Sequence, residues 1–198
     1  MFHDLPRAMA ERMAALEAMD AADRSDGAAH ALRLRQIPPE TGKFLAILAA
    51  NAPAGDMIEV GASAGYSALW LSLACKAVGR RLITHEISPG KAELARETFR
   101  LAGVREYVEL VQGDALALLP WRARLGFCFL DAERSLLPAL FEIIVPRLVA
   151  GGLIAVDNVI SHASEVAAFL PAALADPRLD SVVVPIGSGV LVCRNSGD

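Results

Sequence analysis

A chain of 198 residues, 54% hydrophobic and 21% charged, fits one medium domain with a full core and excludes a disordered polymer. Its formal net charge of −4 argues against a dedicated nucleic-acid binder, which carries a basic patch, but leaves open RNA reached through a local one. The three cysteines, Cys75, Cys128 and Cys193, are widely spaced among apolar neighbours with no CxxC pair, so a cysteine metal site is not expected and a reducing, cytoplasmic compartment is.

The first 55 residues read as helical. MFHDLPRAMAERM lacks the apolar run of a signal peptide. Leu5 to Asp23 is rich in Ala, Met and Glu, and Pro39 stands just inside the start of a second helix, TGKFLAILAA. From Asp56 onward short apolar runs alternate with amphipathic ones. MIEVG (57–61), RLITHE (81–86), VELVQGD (108–114), GFCFLDA (126–132) and GLIAVDN (152–158) read as strands. Several are apolar on consecutive residues, as strands covered on both faces are. Between them lie the helical patterns SALWLSLACKAV, GKAELARETFRLAG and LLPALFEIIVPRL, and EVAAFLPAAL follows the last. This rhythm predicts an α/β fold, doubly wound, with a mostly parallel sheet and helices on both faces.

SVVVPIG and GVLVCRN, separated by Ser188 and flanking glycines, predict a closing hairpin that adds one antiparallel strand. The longest uncharged stretch, Val60 to Cys75, carries Ser63, Tyr66, Ser67 and Ser72 and falls short of the roughly 20 apolar residues of a membrane span, so a soluble protein is expected. No repeat, low-complexity segment or linker interrupts the chain. Residues 1–198 therefore read as a single domain, with 1–55 an N-terminal helical segment packing on or near the active site.

In a doubly wound sheet, ligands sit beyond the carboxyl ends of the strands. The first strand ends in Glu59-Val60-Gly61-Ala62-Ser63-Ala64-Gly65-Tyr66-Ser67, where Gly61 and Gly65 permit a tight turn and close approach by a ligand. Ser63 stands where a dinucleotide fingerprint has its second glycine, which disfavours a pyrophosphate cradle. A plain strand-to-helix turn would use the same glycines. Glu86, 21 residues after Gly65, ends the second strand and suits the hydroxyls of a ribose. Gly113-Asp114-Ala115 ends the third, where an adenine edge would lie. Together these features indicate an adenosine-containing cofactor without a pyrophosphate, S-adenosylmethionine.

Two further tips are acidic: Asp131 after the fourth strand and Asp157-Asn158 after the fifth. If those strands are neighbours, three oxygen ligands converge, a set suited to Mg²⁺ or another divalent cation. Helix capping by Asp131 and a turn at Asp157-Asn158 are the bland alternatives.

IEVGASAGYSALWLSLA, LDAERSLLPALFEIIVPRLVAGGLIAVDNV and VVVPIGSGVLVCRN resemble the cation-dependent O-methyltransferases of the catechol and caffeoyl-CoA type, over about Ile37 to Asn195. The resemblance implies a Rossmann-like methyltransferase fold with a seven-stranded sheet and antiparallel last strand, often dimeric. It implies that Glu59, Gly61, Ala62, Ser67, Glu86, Ala115 and Glu133 line the S-adenosylmethionine site, to which the strand-tip reading adds Ser63, Gly65, Asp114 and Asp131. It also implies Asp131, Asp157 and Asn158 as metal ligands. The expected activity is methyl transfer to a small hydroxylated aromatic. Some relatives methylate modified tRNA bases, and a cofactor-binding relative without transfer activity is a further alternative.

One departure stands out. Family members usually read D-A-D-K after the fourth strand, with the lysine as general base; here the run is Asp131-Ala132-Glu133-Arg134. A guanidinium cannot accept a proton at working pH. Arg134 then stabilises an oxyanion while a metal ionises the substrate, or His162, five residues past Asp157, serves as base, or activity has diverged. A solvent-exposed loop histidine is the plain reading of His162. Arg7, Arg12, Arg24, Arg33 and Arg35, on helical or loop segments near where substrate would enter, read mostly as a solvated helix face, with an anionic substrate as the alternative.

Overall fold

The computed structural model describes residues 4–25 and 33–197; the helical reading of the sequence over 1–3 and 26–32 lies outside the described residues. The chain order is α1 (Arg7–Ser25), α2 (Pro39–Asn51), β1 (Asp56–Val60), α3 (Tyr66–Val78), β2 (Leu82–Glu86), α4 (Pro89–Leu101), β3 (Val108–Gln112), α5 (Ala115–Leu118), β4 (Leu125–Leu130), α6 (Leu137–Ile144), β5 (Leu148–Val156), α7 (Phe169–Leu174), β6 (Leu179–Val184) and β7 (Val190–Asn195).

β2 and β4 are buried at every position, which explains why their sequences do not alternate. All seven strands join one sheet in the order β3-β2-β1-β4-β5-β7-β6. β1 to β5 run parallel, and β7 lies antiparallel between β5 and β6, as the closing hairpin requires. One face of the sheet packs against α1 to α4 through residues such as Met9, Leu45, Leu69 and Phe99. The other packs against α5 to α7 through Leu119, Leu140, Phe141 and Phe169. α2 lies so close to α3 that a Cβ on Gly42 would sit 2.2 Å from the Trp70 ring.

Several elements differ from the sequence pattern. The helix expected over 136–148 is a 3₁₀ turn (Arg134–Leu136), α6 and a second 3₁₀ turn (Val145–Arg147), because Pro146 cannot supply the backbone donor that would continue α6. The helix expected from Glu165 starts only at Phe169, after a run of turns. β5 begins at Leu148 rather than Gly152, and a register shift opposite Leu125/Phe127, with Gly151 at φ 74°, absorbs the added residues.

The register sets the functional edge. Val60 pairs with His85 on one side and Leu130 on the other, and Leu130 pairs with Val156. The ladder then runs one residue past each strand. Gly61 donates its N–H to His85 O at 2.9 Å, Gly113 to Glu86 O at 2.9 Å, Asp131 to Val60 O at 3.0 Å and Asp157 to Leu130 O at 3.1 Å. The tips therefore stand side by side on fixed backbone.

Candidate active site

The loop after β1 turns through Gly61 (φ 100°), Ser63 (φ 46°) and Gly65 (φ 88°). A Cβ on Gly61 would lie 2.3 Å from Asp131 O, so only glycine lets this loop cross the β4 tip. Gly65 faces Phe99 in the same way, at 2.6 Å. Glu86 fixes the loop from the neighbouring strand: Ser63 N donates to its Oε2 at 2.7 Å and Ser88 N to its Oε1 at 2.8 Å.

A cavity of about 680 Å³ opens over the row of tips. Gly61, Ser63, Glu86, Asp114 and Ala115 line one half; Asp131, Glu133, Arg134, Asp157, Asn158 and His162 line the other. Ala62 and Ser67 line a much smaller recess beneath the glycine loop. Glu59 and Gly65 line neither. Glu59 is fully buried in the sheet, where it accepts a hydrogen bond from Thr84 Oγ1 and leaves Oε1 without a partner. Burial pushes its pKa up to about 7, against the opposing hydrogen bonds of Ser67 and Thr84. The Asp114 carboxylate is exposed and accepts from Leu116 N at 2.9 Å, capping the short α5 that the sequence pattern did not suggest.

At the other end, Asp131 and Asp157 converge on Asn158, which sits in the left-handed region at φ 69°. Its Nδ2 donates to Asp131 Oδ1 and to Asp157 Oδ2, both at 3.1 Å. Asp157 is 5% exposed, and its Oδ1 is buried with no partner. Burial holds both carboxyl groups above the ordinary range; the Asp157 charge adds to the effect on Asp131, while the Arg134 charge opposes it on both. Among the described residues no group of three or more His, Cys, Asp or Glu could hold a metal; this set has two carboxylates and an amide.

Arg134 is buried, its Nε lacks a hydrogen-bond partner, and the Glu165 carboxylate lies 3.7 Å away. His162 borders the same cavity, with Nδ1 2.8 Å from Ser161 Oγ. Arg134 and His162 thus line the same cavity as the acidic pair.

Sequence reasoning set Arg33 and Arg35 near the substrate entrance but did not foresee a strap held by backbone bonds, and it missed a second part of the site. Arg33 to Gln36 cross the cavity as a strap: Ser63 Oγ donates to Leu34 O at 2.9 Å, Lys91 Nζ to Arg33 O at 2.9 Å, and Arg35 pairs with Glu133. These bonds go largely to backbone, which leaves no trace in side-chain pattern. The second is His85, a polar residue in the apolar strand RLITHE, which borders the cavity and is 2% exposed. That interruption was a readable signal.

An acid-tipped parallel sheet with a glycine loop and one cavity across the switch of strand order defines a nucleotide-cofactor enzyme of the doubly wound class. The sequence model of the O-methyltransferase family matches residues 12–196, and the chain belongs to that family. It is 37% identical over 149 residues to a catechol O-methyltransferase of Mycobacterium tuberculosis, covering 74% of this chain and 64% of that protein, just under two thirds of the relative's length. It is 27% identical over 192 residues to caffeoyl-CoA O-methyltransferase 2 of Populus trichocarpa, covering 84% and 77%. The crystal structure of an O-methyltransferase from Bacillus cereus in complex with SAH superposes with a TM-score of 0.77 at 25% identity, covering 93% of this chain and 90% of that one.

Proposed function

We propose that this enzyme transfers the methyl group of S-adenosylmethionine to a phenolic oxygen of a small, catechol-like aromatic, with a divalent cation held at the acidic tips. One observation carries the reading: a single cavity has an anchored ribose-type acid, Glu86, at one end and the Asp131/Asp157/Asn158 set at the other. The relatives named as catechol and caffeoyl-CoA O-methyltransferases, and the SAH-bound neighbour, support the donor and the acceptor class.

On the donor side each Glu86 oxygen already accepts one backbone N–H, and its remaining lone pairs are free for ribose hydroxyls. Gly61, Ala62, Ser63, Gly65 and Ser67 form or support the loop over the cofactor, and Glu59 braces it from below. Ala115 and Asp114 flank the base, while Asp131 and Glu133 close the side toward the acceptor.

On the acceptor side the residues fit a hard cation such as Mg²⁺. Two carboxylates adjoin one another, and the buried Asp157 Oδ1 has no protein partner. Asp131 and Asp157 would hold the ion, with Asn158 turning its amide to present oxygen. When bound, such an ion lowers the pKa of the substrate hydroxyl beside it. Arg134 places a fixed positive charge next to the forming phenolate and takes no proton. His162 accepts the proton at Nε2 when its Nδ1–H donates to Ser161 Oγ. Because the sulfonium is already reactive, most of the protein's work is alignment. Homodimerisation belongs to the same proposal and is read by light scattering.

Calorimetric titration of S-adenosylmethionine, then of catechol with and without Mg²⁺, tests the reading, with mass spectrometry of the product. Cofactor binding, Mg²⁺-dependent catechol binding and a mass gain of one methyl are expected. Absence of cofactor binding would sink the whole reading; metal-independent catechol binding and turnover would sink the cation part.

A further inference from the structure

His85 is out of place by the ordinary rules of a parallel strand. It is 2% exposed, and neither Nδ1 nor Nε2 has a hydrogen-bond partner among the described residues. Buried polar groups are nearly always paired, because leaving one unsatisfied costs its hydration with no hydrogen bond to offset it. The backbone of His85 is fully occupied in holding the glycine loop, its carbonyl accepting from Gly61 N and Ala62 N. Its ring is left for something else.

Strand alternation places that ring. Glu86 sends its carboxylate to the glycine loop, so the adjacent His85 side chain faces the opposite side of β2, together with Ile83. Ile83 belongs to the cluster that includes Ala115, Leu119 and Leu140. His85 also borders the cavity, alongside Gly113, Ala115 and Leu116 of the third tip. The ring therefore lies under the half of the cavity opposite the acidic pair, next to the residue that would hold the ribose.

We propose that the His85 imidazole hydrogen-bonds the purine base of the cofactor and selects the adenosyl group. The inference rests on the S-adenosylmethionine reading above. A purine edge offers donors and acceptors at fixed positions, and a neutral imidazole supplies one of each. Burial, then the Arg122 charge, hold the His85 pKa down to about 4 against the weaker pull of Glu109, so the ring is uncharged near neutral pH. A ring in that state carries both an N–H and a free lone pair. The price of keeping it unpaired is met when the base arrives.

The test is a divergence between stability and affinity. In His85→Leu the melting temperature of the ligand-free protein should stay level or rise by a few degrees, since two unpaired buried nitrogens are replaced by an apolar group. The dissociation constants of S-adenosylhomocysteine and of adenosine should both rise about tenfold, with partial recovery in His85→Asn. Affinities within twofold of the wild type, in a folded variant, would overturn the proposal. If the leucine variant does not fold, the ring ¹⁵N resonances of His85 in the wild-type protein decide: they should move when S-adenosylhomocysteine saturates the site, and unmoved resonances would overturn it. Failure of the wild-type protein to bind S-adenosylhomocysteine at all would overturn the cofactor reading, and this proposal with it.

Discussion

Arg35 and Glu133, 98 residues apart in the chain, meet in an ion pair of 2.9 Å that ties the N-terminal strap to the loop carrying the acidic β4 tip. Arg35 holds a left-handed φ of 53°, unusual for a residue with a long side chain, so its local backbone favours leaving this position. Both partners are partly exposed, at 32% and 58%, and such pairs contribute at most about 1 kcal/mol to stability.

Arg35→Ala should therefore leave the melting temperature nearly unchanged while loosening the strap. Stopped-flow displacement of S-adenosylhomocysteine should show dissociation about three- to tenfold faster, a change of up to about 1.4 kcal/mol. An unchanged dissociation rate would mean that the strap does not retain the cofactor.

Asp157→Asn removes one of two adjoining buried acids. Without divalent cation the variant should be more stable than the wild type, because burial and mutual repulsion disfavour the charged pair. With MnCl₂ at about a hundred times its dissociation constant, the wild type should gain about 2.7 kcal/mol, and the variant little. Differential scanning calorimetry with and without the salt reads both effects. An equal metal-induced shift in both proteins would remove Asp157 from the ion site.

Arg134→Lys restores a side chain able to give up its proton. On catechol, kcat/KM should rise at least tenfold, or about 1.4 kcal/mol, and should gain a further rising limb with pH beyond the one the wild-type base supplies. A fall in rate would instead assign the buried guanidinium an indispensable charge-stabilising part.

Glu59→Gln isolates a pH effect. The folded-state pKa of Glu59 is raised to about 7 from an ordinary 4.5, so the folded protein keeps a proton that the unfolded chain gives up across that interval. Its contribution is present below the lower value and is lost as pH rises through the upper. The glutamine variant should match the wild type near pH 4.5 and exceed it by about 3 kcal/mol at pH 8. Urea unfolding at both pH values measures the difference; equal stabilities at pH 8 would show that Glu59 ionises without cost.

The parallel sheet was legible because strands covered on both faces cannot alternate, and the acids at 86, 131 and 157 stood out as charges closing apolar runs. Burial on two sides is a strong compositional constraint, and it reached the page as composition. The strap at 33–36 was not legible, since Leu34 and Arg33 act there through their carbonyls. Glu59 shares its motif with the loop it supports, and it is buried beneath that loop without lining the cavity. Asp114 was placed at the correct tip, but its carboxylate caps a helix of only four residues, too short to announce itself by periodicity.

The backbone ladder that runs one residue beyond β1, β3, β4 and β5 has a consequence for change over time. Gly61, Gly113, Asp131 and Asp157 each borrow their position from a carbonyl of the adjoining strand. A substitution at either aspartate alters chemistry without moving the scaffold, like exchanging tools in a fixed rack, whereas the two glycines are held to their own kind by their left-handed backbone. The lysine-to-arginine difference at 134 lies just outside that rack, in a 3₁₀ turn, where a longer side chain can be accommodated by the turn rather than by the sheet. New acceptors can thus be tried at the edge while the donor side keeps its geometry.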